Sequence, residues 1–571
     1  MRRRTHLSLL GIGLLACSND PTKPSIQLDA ATDGGDAPVV VVKDAPVDAG
    51  DAPVDAGDVA MVGETAVDTG ELVPQGRWTT GDLHVHTIQS NDAQTPQSHL
   101  SVVLEAAFKR NKLDWVTLSN HLRVSDKDHE GNNVPGGPIP LSKGIALFEI
   151  PAITALQKAG TYADKTIFSS VEWDMPTHEH FNIGIVSDAA ASDAAVKALN
   201  QFEYLFTNRD PAMFAPADVS AWGAQRWHTT HADAIQAIGW LKQHHPDSSY
   251  GLISHPSRYP DRYKISDFRE FNDLAPQIVF AIEGMVGNQM EPDRGGYASP
   301  YIEANAHSRT YGGVDSVVAR RGGIWDALLG EGRRIWNVGN SDYHFKTAGN
   351  MFSSGYFPGE YTRNYVWVEG QGMPAILKGL RAGKVFTVNG DLISALEFDV
   401  SAPQGSAQMG SELLVTSGTP ITIKIRFKSD TPSKYETPVG SGNVPGALPV
   451  VHHVDVIAGD VTTRAQPGTP AYATATNPSS QVVARFTASE WTTDAQGYRV
   501  MTHTLTATKD QYFRLRGTNL SPDVPGETQN GEPLPDAKID TTDPAARFNA
   551  INDRNYADLW FYSNPIFVKV R

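Results

Sequence analysis

Between Trp78 and about Asn389, short apolar runs alternate with segments of helical period. Leu100, Val103, Leu104, Ala107 and Phe108 recur at the spacing of one helix face, and Leu113–Leu118 follows as a short apolar strand. His231–His245 repeats the helical pattern through Ala234, Ile235, Ile238 and Leu241, and Tyr250–Ser254 again reads as a strand. Helices alternating with short buried strands predict a parallel sheet or barrel. After about Leu396 the period changes to two. Ile421–Phe427, Val450–Ile457, Val482–Phe486, Tyr498–Thr506 and Tyr512–Arg516 alternate apolar with polar residues between Gly/Pro-rich turns, which predicts an antiparallel sandwich. Leu559–Val570 is apolar enough for a buried strand and is expected to dock on the first region, supporting it or shaping one side of its pocket. The expected class is α/β, with a barrel over 76–395 followed by a β-sandwich over 396–571.

The first 75 residues carry neither pattern. Met1–Arg4 is basic and Leu7–Ala16 is apolar. Ten helical residues rise only ~15 Å, about half a bilayer core, so residues 1–16 predict a secretory signal and not a membrane span. Leu14-Leu15-Ala16-Cys17 resembles the bacterial lipobox, which implies lipidation of Cys17. Ser18 after it resembles the outer-membrane sorting pattern. The expected location is the cell envelope, held by a lipid anchor, at the outer membrane. Residues 17–75 read as a disordered acidic tether of Ala, Pro, Asp and Gly, in which Asp44–Gly50 (DAPVDAG) repeats as Asp51–Gly57.

Composition narrows the chemistry. The net charge is −16, but residues 20–75 contribute −10 and Arg2–Arg4 contribute +3, leaving −9 on the remainder. A mildly acidic folded part argues against a nucleic-acid partner, which calls for a basic face. The single cysteine excludes an internal disulfide framework and any Cys-pair zinc site.

What remains is a set of imidazoles and carboxylates at the ends of apolar runs. Asp82–Thr87 (DLHVHT) places His84 and His86 at i and i+2, on one face of a strand. Asp92 follows in a short loop, and His121 ends the run Trp115–Leu118. Glu172 follows Ile167–Val171, His178 and His180 flank a turn before Asn182–Val186, and His255 ends Gly251–Ser254. Asp342 and His344 follow Ile335–Val338. In a barrel of parallel strands these ends converge on one mouth, and His and carboxylate ligands without cysteine suit Zn²⁺, Mn²⁺ or Fe²⁺. No Gly-x-Ser-x-Gly elbow, P-loop or dinucleotide fingerprint offers another chemistry. Arg258, Tyr259 and Arg262 after His255 read first as a solvated loop and second as an anion clamp. Asn288 is a further mouth candidate, whereas Glu283 reads equally as a structural pairing. His452 and His453 are adjacent strand residues on opposite faces and are not expected to share a metal.

In the order DLHVHT, the Asp92 loop, SNH, VEW, SHP and GNSDYH, these motifs resemble the polymerase-and-histidinol-phosphatase (PHP) superfamily of metallohydrolases, within it the branch of carbaryl-hydrolase-like proteins. Ile376–Gly390 resembles that branch's final helix and strand. The resemblance implies a distorted (β/α)7 barrel with two or three divalent ions. His84, His86, Glu172 and Asp342 would hold the first, and Glu172 would bridge to a second held by His180 and His255. Asp92, His121 and His344 would hold a third. His178 competes with His180, which is preferred. Glu172, Asp342 and His344 carry the catalytic assignment. The usual Thr-Asp-His stands here as Ser119-Asn120-His121, which puts the affinity of the third site in question. The expected reaction is hydrolysis by water whose pKa two shared ions lower towards ~7, acting on a small-molecule or polymer phosphoester. Hydrolysis of a carboxylic ester, amide or carbamate is the alternative, and an inactive surface binding protein a third reading.

Overall fold

Apolar runs bounded by polar turns become strands wherever both faces are covered. Trp115–Leu118 and Val279–Met285, for example, are buried at every position. A computed structural model describes residues 76–186, 193–297, 302–346, 355–434 and 446–571. Cys17, the apolar stretch before it and the acidic repeats lie outside the described residues. No helix among the described residues is long and apolar enough to cross a membrane.

The first region supplies β1 (Arg77–Val85), β2 (Trp115–Leu118), β3 (Thr166–Ser169), β4 (Val171–Asp174), β5 (His180–Ile185), β6 (Ser249–Ile253), β7 (Val279–Met285) and β8 (Trp336–Gly339). β1 pairs parallel with β2, and β2 with β3. The chain then passes through Ser170 into β4, which opens a second sheet. β4–β5 and β5–β6 are antiparallel, and β6–β7 and β7–β8 parallel. Single bridges join the two sheets, His121 to Glu172 on one side and Val85 to Tyr343 on the other. The result is a mixed α/β arrangement and not the uniformly parallel one that the alternation predicts. The reason is local: only residues 175–179 connect β4 to β5, and a parallel crossover needs ~12 residues. β5 therefore turns back, which brings its first residue to the same end as the last residues of its antiparallel neighbours β4 and β6.

Helices α1 (His231–His244), α2 (Ile265–Leu274) and α3 (Ile324–Leu329) pack on this framework through Ala234, Ile238, Leu241, Phe268, Phe271, Trp325 and Leu328. Thr230 and Asp233 form a reciprocal capping box at the start of α1.

The sheet does not stop at the first region. β9 (Thr362–Val368) pairs with the free edge of β1, and β10 (Val385–Asn389) with β9. Beyond these come β11 (His453–Asp460), β12 (Gln511–Thr518), β13 (Trp560–Ser563) and β14 (Ile566–Val570). β10 pairs with β13, β13 with β12, and β12 with both β11 and β14, within one eleven-stranded sheet. The final apolar stretch thus forms two strands, divided at Asn564-Pro565, where proline has no N–H to donate. A five-stranded antiparallel sheet that includes Ala395–Ala402, Thr419–Lys428 and Arg499–Ala507 covers this extension. Leu396, Phe398, Ile423 and Ile425 share a core with Val454, Val456, Phe513, Leu515 and Phe561. The β-rich region therefore exists as expected, but one of its two layers is hydrogen-bonded into the sheet of the first region.

Two buried arginines add to this seam. Arg514 of β12 donates to Asp326 of α3 through Nε (2.8 Å) and Nη2 (2.9 Å), with both side chains almost fully buried. Arg294, in the loop after β7, donates to Asp558 (2.9 Å), Asp536 (3.1 Å) and the Tyr361 hydroxyl (2.8 Å). Removing one partner of such a pair leaves a bare buried charge, so Arg514→Ala should lower unfolding free energy by ~3–5 kcal/mol in urea melts. Lys509→Ala, which breaks the exposed pair with Asp460, should change it by under ~1 kcal/mol. Equal effects would contradict the seam. Ending the chain at residue 395 removes the strand paired with β10 and should abolish solubility or activity, and a soluble, fully active product would show that the β-region does not support the first.

Candidate metal centre

The bridge pairs that join the two sheets also deliver the functional side chains. Backbone pairing of His86 N with Tyr343 O (2.8 Å) sets Asp342 and His344 beside the end of β1. Pairing of Leu122 N with Glu172 O (2.7 Å) and of Glu172 N with Asn120 O (3.0 Å) sets His121 beside β4. His180 opens β5, and His255 lies two residues past β6. Left-handed backbone at His255 (φ 26°) and Asp342 (φ 46°) turns both residues out of their strand ends. Non-glycine residues in this region cost ~1–3 kcal/mol each, a strain typical of functional sites. Gly287 allows the loop after β7 to close on Asp342, since a Cβ there would lie 2.1 Å from the Ser341 carbonyl oxygen.

Glu172 is the hub. Its Oε1 lies 3.1 Å from His84 Nε2, 3.0 Å from His180 Nδ1 and 3.2 Å from His255 Nε2. Its Oε2 lies 3.2 Å from both His86 Nε2 and His121 Nδ1. Asp342 Oδ1 approaches His84 Nε2 (3.1 Å) and His86 Nε2 (3.2 Å). Asp92 spans His121 Nε2 (2.9 Å) and His344 Nε2 (3.4 Å). All nine side chains singled out in the sequence therefore meet at one end of the sheets. They fall into overlapping groups that include His84/His86/Glu172/Asp342, His86/Asp92/His121/His344 and His121/Glu172/His180. His178 does not join them. It lies in the turn before β5, where Thr177 is left-handed (φ 67°) and breaks the alternation that would align it with His180.

The donor set fits divalent cations. Glu172 Oε2, Asp342 Oδ1, His121 Nδ1, His180 Nδ1 and His255 Nδ1 are buried without a hydrogen-bond partner, a costly state for polar atoms. Ligands at ~2.0–2.2 Å from a shared ion stand roughly 3 Å apart, which is the spacing observed. Several imidazoles are also oriented from behind. His84 Nδ1 meets Glu283 (3.1 Å), His86 Nδ1 meets Ser90 Oγ (2.9 Å), His344 Nδ1 donates to the Asp342 carbonyl (3.0 Å) and His180 Nε2 meets Asp174 (3.2 Å). Such partners fix the tautomer and raise ligand basicity. Burial holds His121 down at about 4, and burial together with Arg258 holds His255 down at about 3, so both present lone pairs at neutral pH. Burial opposes ionisation of Glu172, but His180, His84 and His121 outweigh it and keep the carboxyl well below its ordinary value.

Sequence reasoning gave Glu283 no clear role, yet it holds both His84 and the His255 N–H (2.9 Å). Its signal was present: it too ends an apolar run, Val279–Ile282. Asp174 and Ser90 were passed over. Asn120 accepts from Thr87 N (2.7 Å) and donates to buried Glu149 (2.9 Å), so the amide braces the β1 end and forms no hydrogen bond with His121. Arg258 is not the solvated residue expected: its side chain is 12% exposed, and Nη2 donates to Asp342 Oδ2 (2.8 Å). Asn288 donates to the same oxygen. Arg262 is exposed. Above the cluster opens a cleft of about 520 Å³, whose lining includes Arg123, Arg258, Tyr259, Asn288 and Glu291. Burial pushes the Glu291 carboxyl up to about 8, so it keeps its proton at pH 7.

No family model matches the chain, and no curated protein matches it. Among solved structures, the chain is similar to a two-domain protein from Bacteroides vulgatus containing a predicted PHP-like metal-dependent phosphoesterase, with 12% identity over 81% of this chain and 95% of that one and a TM-score of 0.33. It is also similar to PsfC from Pseudomonas syringae, with 12% identity over 53% of this chain and 87% of that one and a TM-score of 0.28.

Proposed function

We propose that the chain is a metal-dependent hydrolase of PHP type that cleaves phosphoesters, its ring of strands being a distorted (β/α)7 barrel. The observation that carries this reading is the buried Glu172 carboxylate, with five imidazoles within 3.2 Å at the floor of an open cleft. His84, His86, Glu172 and Asp342 would hold one ion, Glu172, His180 and His255 a second, and Asp92, His121 and His344 a third. Ions held there supply Lewis acidity, which makes water a nucleophile at neutral pH and polarises a phosphoryl or carbonyl oxygen.

The chain's own groups supply the rest. Arg258 and Arg123 line the cleft and are suited to orient an anionic group, and Arg258 Nε is buried with no hydrogen-bond partner. These two guanidiniums, set among the cleft's carboxylates, favour a phosphoester over a neutral ester, amide or carbamate. Glu291 holds a proton at the rim that a leaving oxygen can accept. Glu283, Ser90 and Asp174 keep the imidazoles aimed. A full set of ligand side chains supports an enzyme over an inactive surface binder. We also propose that Cys17 carries the lipid that places the protein in the cell envelope, at the outer membrane.

Chelator treatment should abolish turnover of chromogenic phosphomonoesters and phosphodiesters, and Zn²⁺, Mn²⁺ or Fe²⁺ should restore it. His84→Ala and Asp342→Ala should each lower kcat by at least ~10³-fold, because metal ions contribute several kcal/mol of transition-state stabilisation. Turnover unchanged in both variants would end the assignment. Turnover of carboxyl esters alone would move it to the alternative chemistry. Arg258→Ala should lower kcat/KM for phosphoesters ~10–100-fold, the loss expected for a hydrogen bond to a charged group. An unchanged value would remove the anion-orienting role.

A further inference from the structure

His178, which the cluster leaves out, belongs to a second group. The ring Nδ1 of His178 lies 2.9 Å from the Pro176 carbonyl and donates to it. His231, the first residue of α1, directs Nε2 to Glu270 Oε2 at 3.0 Å. With both of those nitrogens serving as donors, His178 Nε2 and His231 Nδ1 are left as lone-pair acceptors, and they face each other at 3.4 Å. Asp267 Oδ2, a third acceptor, lies 3.6 Å from His178 Nε2. The three residues offer ligand atoms within 4.8 Å of one another.

Two such lone pairs beside a carboxylate call for a shared positive charge, a proton or a metal cation. Their separations suit ligands at ~2.0–2.2 Å from one ion. Each imidazole is held from behind in the manner of a metal ligand, His178 by a backbone carbonyl and His231 by a carboxylate. The Tyr263 and Phe271 rings pack 5.1 and 5.4 Å from the His178 ring and shield one side of the group. His231 is 39% exposed, which leaves a path from solvent and room for a fourth, water ligand.

We propose that His178, His231 and Asp267 form a separate transition-metal site for a zinc-like divalent ion, with Glu270 orienting His231. The site links the starts of α1 and α2 to the turn that leads into β5, and so fixes the segment presenting Asp174 and His180. It stands apart from the nine-residue cluster and does not depend on the function assigned to that cluster.

The test is zinc stoichiometry of the full chain after chelator stripping and equilibrium dialysis against micromolar Zn²⁺. It is run for wild type and His231→Ala, each with and without His84→Ala and Asp342→Ala. His231 is partly exposed at a helix start, so its loss leaves the core untouched. The expected result is one equivalent fewer in every His231→Ala chain, including those lacking His84 and Asp342. Asp267→Asn should lose the same equivalent, and Glu270→Ala should weaken it ~10–100-fold. Identical stoichiometry with and without His231 would overturn the site. An equivalent that depends on His231 but persists with no metal at the Glu172 cluster would uphold it while the hydrolase reading failed.

Discussion

The structure depends on one constraint: a fully buried carboxylate, Glu172, must coexist with five imidazoles and a second buried carboxylate, Asp342, at the floor of the cleft. Burying a polar atom without a partner costs roughly 1–3 kcal/mol, and a bare charge costs far more. Where a ring nitrogen donates to the acceptor behind it, Glu283 behind His84, Asp174 behind His180 or the Asp342 carbonyl behind His344, the other nitrogen turns a lone pair towards the cluster. Shared cations meet those lone pairs and the two carboxylates together. The left-handed backbone at His255 and Asp342, and the glycine that lets a loop close on Asp342, are local costs accepted to aim ligands at common points.

The surrounding architecture holds that geometry. Two sheets meet through single bridges at His121/Glu172 and Val85/Tyr343, so the seams of the fold are also the places where ligands sit. The C-terminal half extends the β1 sheet and fastens the loop after β7 through Arg294. That loop carries Asn288 and Glu291 into the cleft. The β-rich half thus reaches the site through buried charge pairs and sheet continuity, and not as a separate module.

Much of this was legible in the sequence, for a physical reason. A ligand at a strand end interrupts an apolar run, as His121, Glu172, His255 and Asp342 do, and His84 and His86 share a strand face by their spacing. What was not legible depended on backbone geometry that hydropathy does not encode. Alternation equates His178 with His180 only while the chain stays extended, and Thr177 breaks that assumption. Groups behind the ligands, such as Ser90 and Asp174, carry no periodic signal, since any nearby polar residue can serve. Period two identified the strands of the second half but not their partners, so the continuity of β10 with β13 had no signature. The short turn before β5 could have announced its antiparallel course, because five residues cannot make a parallel crossover.

The central claim is that these side chains surround shared ions. Anomalous diffraction at the zinc or manganese absorption edge, from crystals of the metal-loaded chain, tests it most directly. The account predicts at least two peaks ~2.0–2.2 Å from Glu172 oxygens and the neighbouring imidazole nitrogens. A fully loaded crystal with no anomalous density among His84, His86, Glu172, His255 and Asp342 would contradict it.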